Sequence, residues 1–495
     1  MKKIFKFSII ILLAYCASCS KDWLKVNNNP NAILSAPDSL VFPSAVAGAA
    51  YVIGGDYAIL GGIWSQYVTQ NNTANQYKDL DAFNVTTSTM NTAWDNMYSN
   101  ALVNFKYVRV QAQQESNWML VLMSTVMEAY CYQVLVDLYD QIPYNEALQG
   151  ASNVYPHFIS GQMVYDSLIL KINNALKLDF TAKTSRNPGS EDFLFGGNLT
   201  SWQQFANTLK LKIFLRQCYA RPSVASAGIA AIVNDPHFVG FLTINAAMTQ
   251  YINQSLKDNP LYEENIRTLN FTGNLAMSNT IYSWFVENND TSRLAKLYDK
   301  GDAGYSALVQ GDFLNPNTDS KKWSILIESP TDPVYFITAA ESYFLQAEAI
   351  LRGYIPIGIL ALNGAGTVKD AFQSGDSAAY SQIGLTDPGI YKFKDSTFEA
   401  NLEQIIVQKW ASMAGTHGLE AYIEHTRTHY PKESSVPGTD PTYIPGQWTL
   451  PVNAAIKYFP KRLLFPETEI DRNPNTPAQI PVSTPVWWDM NPNSK

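Results

Sequence analysis

The sequence has little charge and little histidine. Only 16% of its 495 residues are charged, with 43 acidic against 35 basic side chains and five histidines. The formal net charge is -8, and no run of five like charges occurs. Because nucleic-acid-binding proteins present a basic face, this composition argues against that class.

Cysteine is scarce as well, with four in the whole chain. Beyond the pair near the start, only Cys131 and Cys218 remain, and neither lies in a Cys-x-x-Cys pair or at a Cys/His spacing typical of zinc sites. Both lie in apolar, helix-like surroundings. An exported chain allows a disulfide between them, and two buried free thiols fit the sequence equally well.

The motifs of common catalytic sites are absent. Neither a GxSxG elbow nor a GxxxxGK[ST] loop occurs, which removes the usual support for a serine hydrolase or a nucleotide hydrolase. In EAYIEHTRTHYP, His425 and His429 stand four residues apart near Glu420 and Glu424, the helical spacing of a zinc site. The glutamates are out of the required order and no third ligand is visible, so we expect a helix end at which Arg427 makes structural hydrogen bonds.

After the start of the chain, no run reaches about 18 apolar residues without a charge or a strong polar break, so we expect no membrane span in the mature chain. Lys2, Lys3 and Lys6 precede an apolar stretch from Phe7 to Ala17, about half of the roughly 20 residues that a membrane-spanning helix needs. This pattern is typical of a secretory signal.

Two cysteines end that apolar run. Cys19 follows the small residues Ala17 and Ser18, as a lipoprotein signal requires, whereas Cys16 follows the bulky Tyr15. We therefore predict that Cys19 becomes the lipidated first residue; an ordinary secretory signal with incidental cysteines is the alternative. Two or more lipid chains give stable anchoring. The predicted segments are a signal peptide at 1–18, a lipidated tether at 19–40 and a single helical domain with loop insertions at 41–495.

Helical periodicity dominates the rest of the chain. From Trp118 to Leu138 apolar side chains occupy nearly every face, which predicts a central core helix, and Asp140 and Pro143 mark a break before a new helix. Further helices are predicted at 162–178, 202–219, 337–353 and 398–415. Helix pairs joined by short turns resemble tetratricopeptide hairpins, although the spacing does not fit a strict 34-residue repeat. The predicted fold class is mostly α.

Long polar stretches separate these helices, at 54–92, 234–280, 299–335 and 430–495. Loops of this length in a compact domain are usually functional or carry small elements of their own. We therefore expect helix pairs on one side and a long-looped, irregular face on the other.

The stretch GGIWSQYVTQNNTANQYKDLDAFNV alternates aromatic and amide side chains. Aromatic faces pack against the C–H faces of sugar rings, and amides both donate to and accept from hydroxyls. A second aromatic, in SKKWSILIESP, lies in a polar loop, where binding residues are frequent. These features predict a neutral-glycan site, unless the aromatics belong to the core. The candidate residues are Trp64, Tyr67, Gln70, Asn71, Asn72, Gln76, Tyr77 and Trp323.

Six segments together resemble the SusD/RagB outer-membrane nutrient-binding lipoproteins, in particular the SusD-like branch. They are CSKDWLKVNNNPN, EAYCYQVLVDLYDQIPYNEAL, SWQQFANTLKLKIFLRQ, AAESYFLQAEAILRG, IIVQKWASMAGTHGLEAYIEHTRTHYP and RLLFPETEIDRNPN. The resemblance implies a mostly α fold of tetratricopeptide-like pairs on the outer surface of a Gram-negative outer membrane. It also implies a binding protein without a cofactor that acts as a lid over a SusC-like TonB-dependent transporter, and its ligand is an oligosaccharide or a peptide.

The resemblance also bears on individual residues. Arg427, Thr428, Tyr430 and Pro431 match the family pattern, whereas His425 and His429 stand where that pattern has other residues. This supports a structural role for the helix end, without a metal. No sugar-contacting residue is carried over, because these lie on variable loops in the family. A secreted hydrolase on a helical scaffold and an adaptor that binds only protein are the alternatives.

Overall fold

The computed structural model describes residues 36–301, 304–317, 319 and 322–492, and helix is its main element. The signal peptide, Cys19 and most of the tether lie outside the described residues. The helices from the first half of the chain are α1 (Asp38–Gly54), α2 (Asp56–Trp64), α3 (Lys78–Asp81), α4 (Asn91–Asn96), α5 (Val103–Gln114), α6 (Trp118–Tyr139), α7 (Gly161–Leu176), α8 (Leu199–Arg216) and α9 (Pro222–Val233). The remaining ones are α10 (Pro260–Tyr262), α11 (Asn279–Glu287), α12 (Thr291–Leu297), α13 (Ala339–Leu351), α14 (Val368–Gln382), α15 (Phe398–Ser412), α16 (Gly418–Thr428) and α17 (Glu467–Arg472).

Helix α6 is the centre of the core, as its sequence predicts. Every residue from Met119 to Tyr139 is buried, because apolar side chains surround the whole helix. The helix ends at Asp140, whose φ of +69° leaves the right-handed region. The expected new helix at Pro143 is wrong: Gln141–Pro143 forms a strand that pairs antiparallel with Phe158–Ser160.

Helices that are neighbours in the sequence pack against each other. Helix α5 lies against α6, α8 against α9, α13 against α14, and α15 against both α14 and α16. Side-chain caps fix several starts: Thr338 accepts a hydrogen bond from the Glu341 N–H at the start of α13, and Thr367 forms a capping box with Asp370 at α14. Gly353, with φ +71°, follows the end of α13. The predicted mostly α fold of helix pairs is confirmed.

Charged side chains are buried where four of these helices and α6 meet. Lys212 Nζ lies 2.7 Å from Glu420 and 3.0 Å from Glu341. Arg427 holds Glu348 at 2.7 and 2.6 Å through its two terminal nitrogens. We call this set the buried charge network; its members are Asp137, Lys212, Arg216, Glu341, Glu348, Lys409, Glu420, Glu424 and Arg427.

The two histidines lie beside this network and have a structural role. The His425 ring stacks on Trp448 at 3.9 Å, and burial lowers its pKa well below the ordinary value. His429 follows α16 with φ +60°. In the described part of the chain, no group of three or more His, Cys, Asp or Glu side chains could hold a metal ion. Arg427 does make the structural hydrogen bonds expected of this helix end.

Short strands and loops cover one side of the helices. Strand β1 (Val68–Gln70) pairs antiparallel with β5 (Leu275–Met277). Strand β2 (Gln141–Pro143) pairs with β3 (Phe158–Ser160), and β4 (Ala246–Met248) pairs with β6 (Val334–Ile337). We call the loops around β1 and β5, at 65–83, 271–278, 304–317, 322–328 and 433–453, the looped face. It contains no extended sheet, because each described strand has a single partner.

Cys131 and Cys218 are both buried free thiols, so the disulfide that the sequence allowed does not form. Two described helical stretches, Leu40–Trp64 and Trp118–Tyr139, are apolar and long enough to cross a membrane. The apolar window of the second is wholly buried and that of the first is mostly buried, so packing in the core accounts for both. One hydrophobic core runs from Phe42 to Trp488.

Candidate ligand-binding site

Helix α2 and strand β1 position the first group of candidate residues. The sequence predicted this stretch as a loop, and that prediction is wrong for 56–64, which is helical. Gly61 lies directly against α16: a Cβ there would come within 2.0 Å of the Leu419 backbone nitrogen. This close approach draws α2 and the start of β1 into the protein.

Trp64 and Tyr67 therefore belong to the core. Trp64 is 1% exposed, and its indole N–H donates to the Leu80 carbonyl at 3.0 Å. The Tyr67 hydroxyl donates to the carbonyl of Trp410, on whose ring it stacks at 5.7 Å. Neither ring offers a face to a ligand in this conformation, so the expectation of exposed aromatics fails at both positions.

Gln70 and Asn71 are buried as well and hold the loops together. The Gln70 amide donates to the carbonyls of Asn71 and Asn274 at 3.0 Å and accepts from the Tyr77 N–H. Asn71 Oδ1 accepts from the N–H and the hydroxyl of Thr73. Their amides satisfy backbone groups of the looped face, because a buried polar group without a partner is costly.

Asn72 and Trp323 meet at the surface, although 250 residues separate them in the sequence. The Trp323 indole N–H donates to Asn72 Oδ1 at 3.0 Å. The other end of the Asn72 amide donates to the carbonyls of Asn315, at 2.9 Å, and Asn317. The structure thus brings together two predicted residues that are distant in the sequence and fixes their polar groups.

The indole N–H of Trp323 is held by a hydrogen bond, but the faces of the ring are not. A ring face can therefore contact a different partner. The Lys322 ammonium lies 4.4 Å from the ring centroid, and Trp323 is 9% exposed. On its inner side the ring packs with Ala276 and Leu308 in a small cluster apart from the main core. Because Lys322 is exposed, its side chain can leave the ring without disturbing the core.

Gln76 and Tyr77 flank the same loop. Gln76 is exposed, whereas Tyr77 is buried. Burial raises the pKa of Tyr77, and the nearby carboxylates of Glu264 and Glu328 add to the effect. The Tyr77 hydroxyl is therefore neutral and can act as a hydrogen-bond donor.

Sequence reasoning missed three contributors to this site: the carbonyls of Asn315 and Asn317, and the ammonium of Lys322. A signal existed for the first two, since Asn-Pro-Asn favours a tight turn that presents carbonyls. Lys322 adjoins the candidate tryptophan in sequence, but its position over the ring depends on the loop conformation.

The fold first defines a class: an all-α scaffold of tetratricopeptide-like helix pairs that carries a looped face. A sequence model of the SusD-like family, described as starch-binding and associating with the outer membrane, matches residues 30–451. The chain belongs to this family. A search of curated protein sequences found no match.

Solved structures share the fold over nearly the whole chain. A SusD homologue from Bacteroides uniformis is 20% identical with a TM-score of 0.71, and the match covers 92% of this chain and 100% of that one. A chitin-binding SusD homologue from Flavobacterium johnsoniae is 19% identical with a TM-score of 0.72, covering 91% and 99%. A SusD-like protein from Bacteroides thetaiotaomicron is 20% identical with a TM-score of 0.72, covering 92% and 99%.

Proposed function

We propose that this protein is a cell-surface lipoprotein that captures neutral oligosaccharides and delivers them to a SusC-like TonB-dependent transporter. It is anchored through Cys19, faces the cell exterior and acts without covalent chemistry. The family description and the chitin-binding relative support a glycan ligand. The domain at 41–495 would act as the lid of the transporter.

The observation that carries this proposal is the Asn72–Trp323 pair on the looped face. It combines an aromatic ring with amide and carbonyl groups of Asn72, Asn315 and Asn317. A sugar ring presents an apolar C–H face and a rim of hydroxyls, which such a pairing matches. No net charge is required on the ligand.

In the capture step, a sugar ring replaces Lys322 over the Trp323 ring, which is 9% exposed while the lysine covers it. An exposed cation–π contact contributes about 0.5–1 kcal/mol, so its loss is small against stacking and hydrogen bonds from several hydroxyls. The exposed amide of Gln76 lies in the same loop as Asn72 and can bond hydroxyls at the rim.

Isothermal titration calorimetry with maltohexaose, chitohexaose and a mixed peptide library tests the ligand class. We expect binding of a neutral oligosaccharide, and at least tenfold weaker binding for Trp323→Ala. Trp323→Phe keeps a ring and should retain most of the affinity, which separates stacking from folding defects. Binding of peptides without any glycan would replace the sugar by a peptide ligand, and unchanged affinity in Trp323→Ala and Asn72→Ala would remove this site.

The anchor is tested separately by fractionating cells. Cys19→Ser should move the protein from the membrane fraction to the soluble fraction, because lipid chains supply the attachment. Cys16→Ser is the matched control and should stay in the membrane. Release by both variants, or by neither, would contradict lipidation at Cys19.

The transporter partnership predicts co-purification of the wild-type chain with a TonB-dependent transporter from detergent extracts.

A further inference from the structure

A cleft with a volume of about 570 Å³ lies beside α1, apart from the Asn72–Trp323 pair. We call it the asparagine cleft. Its walls include Tyr51, Asn96, Asn100, Asn104, Asp258 and Glu263. Its volume lies within the range of about 300–1,000 Å³ that is usual for small-molecule sites.

Three asparagines form one wall at intervals of four residues, which places them on one face of the continuous helical segment from α4 to α5. Asn100 Nδ2 donates to Asn96 Oδ1 at 2.7 Å, and Asn104 Nδ2 donates to the Asn100 carbonyl at 2.8 Å. Within the described residues, Asn96 Nδ2, Asn100 Oδ1 and Asn104 Oδ1 have no hydrogen-bond partner in the protein. This wall therefore offers both a donor and acceptors to a ligand.

Tyr51 supplies an aromatic surface in the last turn of α1. It is 40% exposed, unlike the buried Trp64 and Tyr67. Gly48, one turn earlier, lets α1 approach this wall, because a Cβ there would come within 2.8 Å of the Asn100 carbonyl oxygen. The close approach places an exposed ring beside the asparagine amides.

Two acidic side chains, Asp258 and Glu263, lie on the opposite wall of the cleft. Asp258 is only 4% exposed, and Arg267 donates to its Oδ2 at 2.6 Å. Arg267 also contacts Glu263 at 3.2 Å. Burial raises the pKa of Asp258, and a hydrogen bond between its side chain and that of Glu263 adds to the effect. The oxygens of this acidic pair can accept hydrogen bonds from ligand hydroxyls.

The backbone is irregular on both walls. The two π-helical segments of the described chain, Met97–Leu102 and Glu263–Thr268, each contribute to the cleft. Leu256, at the rim, has φ +64° and is 85% exposed. π-Helical turns and strained non-glycine residues concentrate at functional sites.

We infer that the asparagine cleft is a second binding site for neutral, hydroxyl-rich sugar residues. This inference rests on the proposed function, since the cleft would bind either a further part of the same oligosaccharide or a second oligosaccharide chain. Tyr51 stacks on a sugar ring, the asparagine amides bond hydroxyls, and the Asp258 and Glu263 pair accepts hydrogen bonds from hydroxyls. Two carboxylates and one arginine that is already paired disfavour acidic sugars.

The test uses calorimetry with maltohexaose and chitohexaose on Tyr51→Ala, Asn100→Ala and Trp323→Ala. We expect Tyr51→Ala to bind about tenfold more weakly, because this variant loses one aromatic contact and the surface area that the contact buries. Tyr51→Phe should keep the affinity. Tyr155→Ala, at a tyrosine that is 52% exposed in another loop, should stay within twofold.

Photo-crosslinking locates the ligand independently of variant stability. A diazirine derivative of the bound oligosaccharide should label peptides that contain 44–51, 96–104 or 255–263. If wild type binds, Trp323→Ala weakens binding and the cleft shows neither label nor a Tyr51 effect, the inference is wrong while the proposed function stands. Failure of the wild-type protein to bind any neutral oligosaccharide overturns both. Binding of oligogalacturonate that depends on Tyr51 would overturn the neutral class.

Discussion

The helix pairs and the looped face both bury polar groups, but of different kinds. Between the helices, full charges are paired: Arg427 holds Glu348 and Glu424, with side chains at most 4% exposed. On the looped face, neutral amides bond backbone carbonyls, as Gln70 does with Asn71 and Asn274. Buried ion pairs demand one geometry, whereas amides adapt to many backbones. The comparison suggests a rigid scaffold under a face whose loops can change between relatives.

The largest expected effect comes from breaking an ion pair. Arg427→Met keeps the apolar length but removes one cation from both Glu348, which keeps Arg352, and Glu424, which keeps Arg216 and Lys409. Removal of one partner from a buried pair costs about 3–5 kcal/mol, to be measured by urea unfolding. Arg186→Met, at the exposed pair with Glu115, should cost less than about 1 kcal/mol. Equal losses in both variants would contradict the assigned role of the network.

On the looped face, Gln66→Ala should cost less. Gln66 donates to the Thr449 carbonyl at 2.7 Å and accepts from the Thr280 hydroxyl at 2.6 Å. Its removal leaves a buried carbonyl of a loop and a buried hydroxyl of α11 unpaired, at about 1–3 kcal/mol. Gln113→Ala, at an exposed position, is the control for urea unfolding. A loss as large as that of Arg427→Met would abolish the contrast between the two regions.

The two regions should also respond to pH with opposite signs. Burial raises the pKa of Asp81 to about 7, against hydrogen bonds from Thr69 and Gln310. Burial also opposes ionisation of Glu424, but Arg427 outweighs it and holds that pKa well below the ordinary value. The stability due to Glu424 is present above about pH 4.3 and is lost as the pH falls further. The stability due to Asp81 falls as the pH rises from about 4 to about 7, because only the unfolded chain then releases the proton.

Asp81→Asn tests this sign at one residue. The amide mimics the protonated acid, and Gln310, whose Oε1 has no partner in the described structure, can turn to accept from it. We expect a variant that is more stable than wild type at pH 8 and no more stable at pH 4, by urea unfolding. A variant that is less stable than wild type at pH 8 would show that the hydrogen bonds to the carboxylate outweigh its burial, so that its pKa is not raised in the folded protein.

The smallest expected effect concerns Lys322. Lys322→Ala uncovers the Trp323 ring, so the oligosaccharide should bind about two- to fivefold more tightly, the value of one exposed cation–π contact. Lys183→Ala, at another exposed lysine, should leave the Kd unchanged. Weaker binding by Lys322→Ala would mean that the ammonium contacts the ligand instead of yielding to it.

The helices were predictable from the sequence, and most of the site was not. The apolar run at 118–138 predicts a core helix whatever its neighbours are, because apolar side chains occupy nearly every face of that helix. Trp64 and Tyr67 read equally well as core or as binding residues. Their burial depends on contact between Gly61 and α16, which brings together residues over 350 positions apart.

The Asn72–Trp323 contact shows the same limit. Both residues were candidates on loop chemistry, yet nothing local places them together. Their meeting follows from the pairing of β1 with β5 and the bridge from Ala276 to Ile325. The buried charge network had a local signal only within α16, where Glu420, Glu424 and Arg427 share one helix; its other ion pairs join different helices.

Hydrogen–deuterium exchange with and without the oligosaccharide ligand tests the central claim most directly, that the looped face binds and the helix pairs support it. We predict slower exchange in peptides that cover 71–77 and 322–328, and unchanged exchange in α8, α13, α15 and α16. Slower exchange in those helices with no change at 71–77 and 322–328 would contradict it.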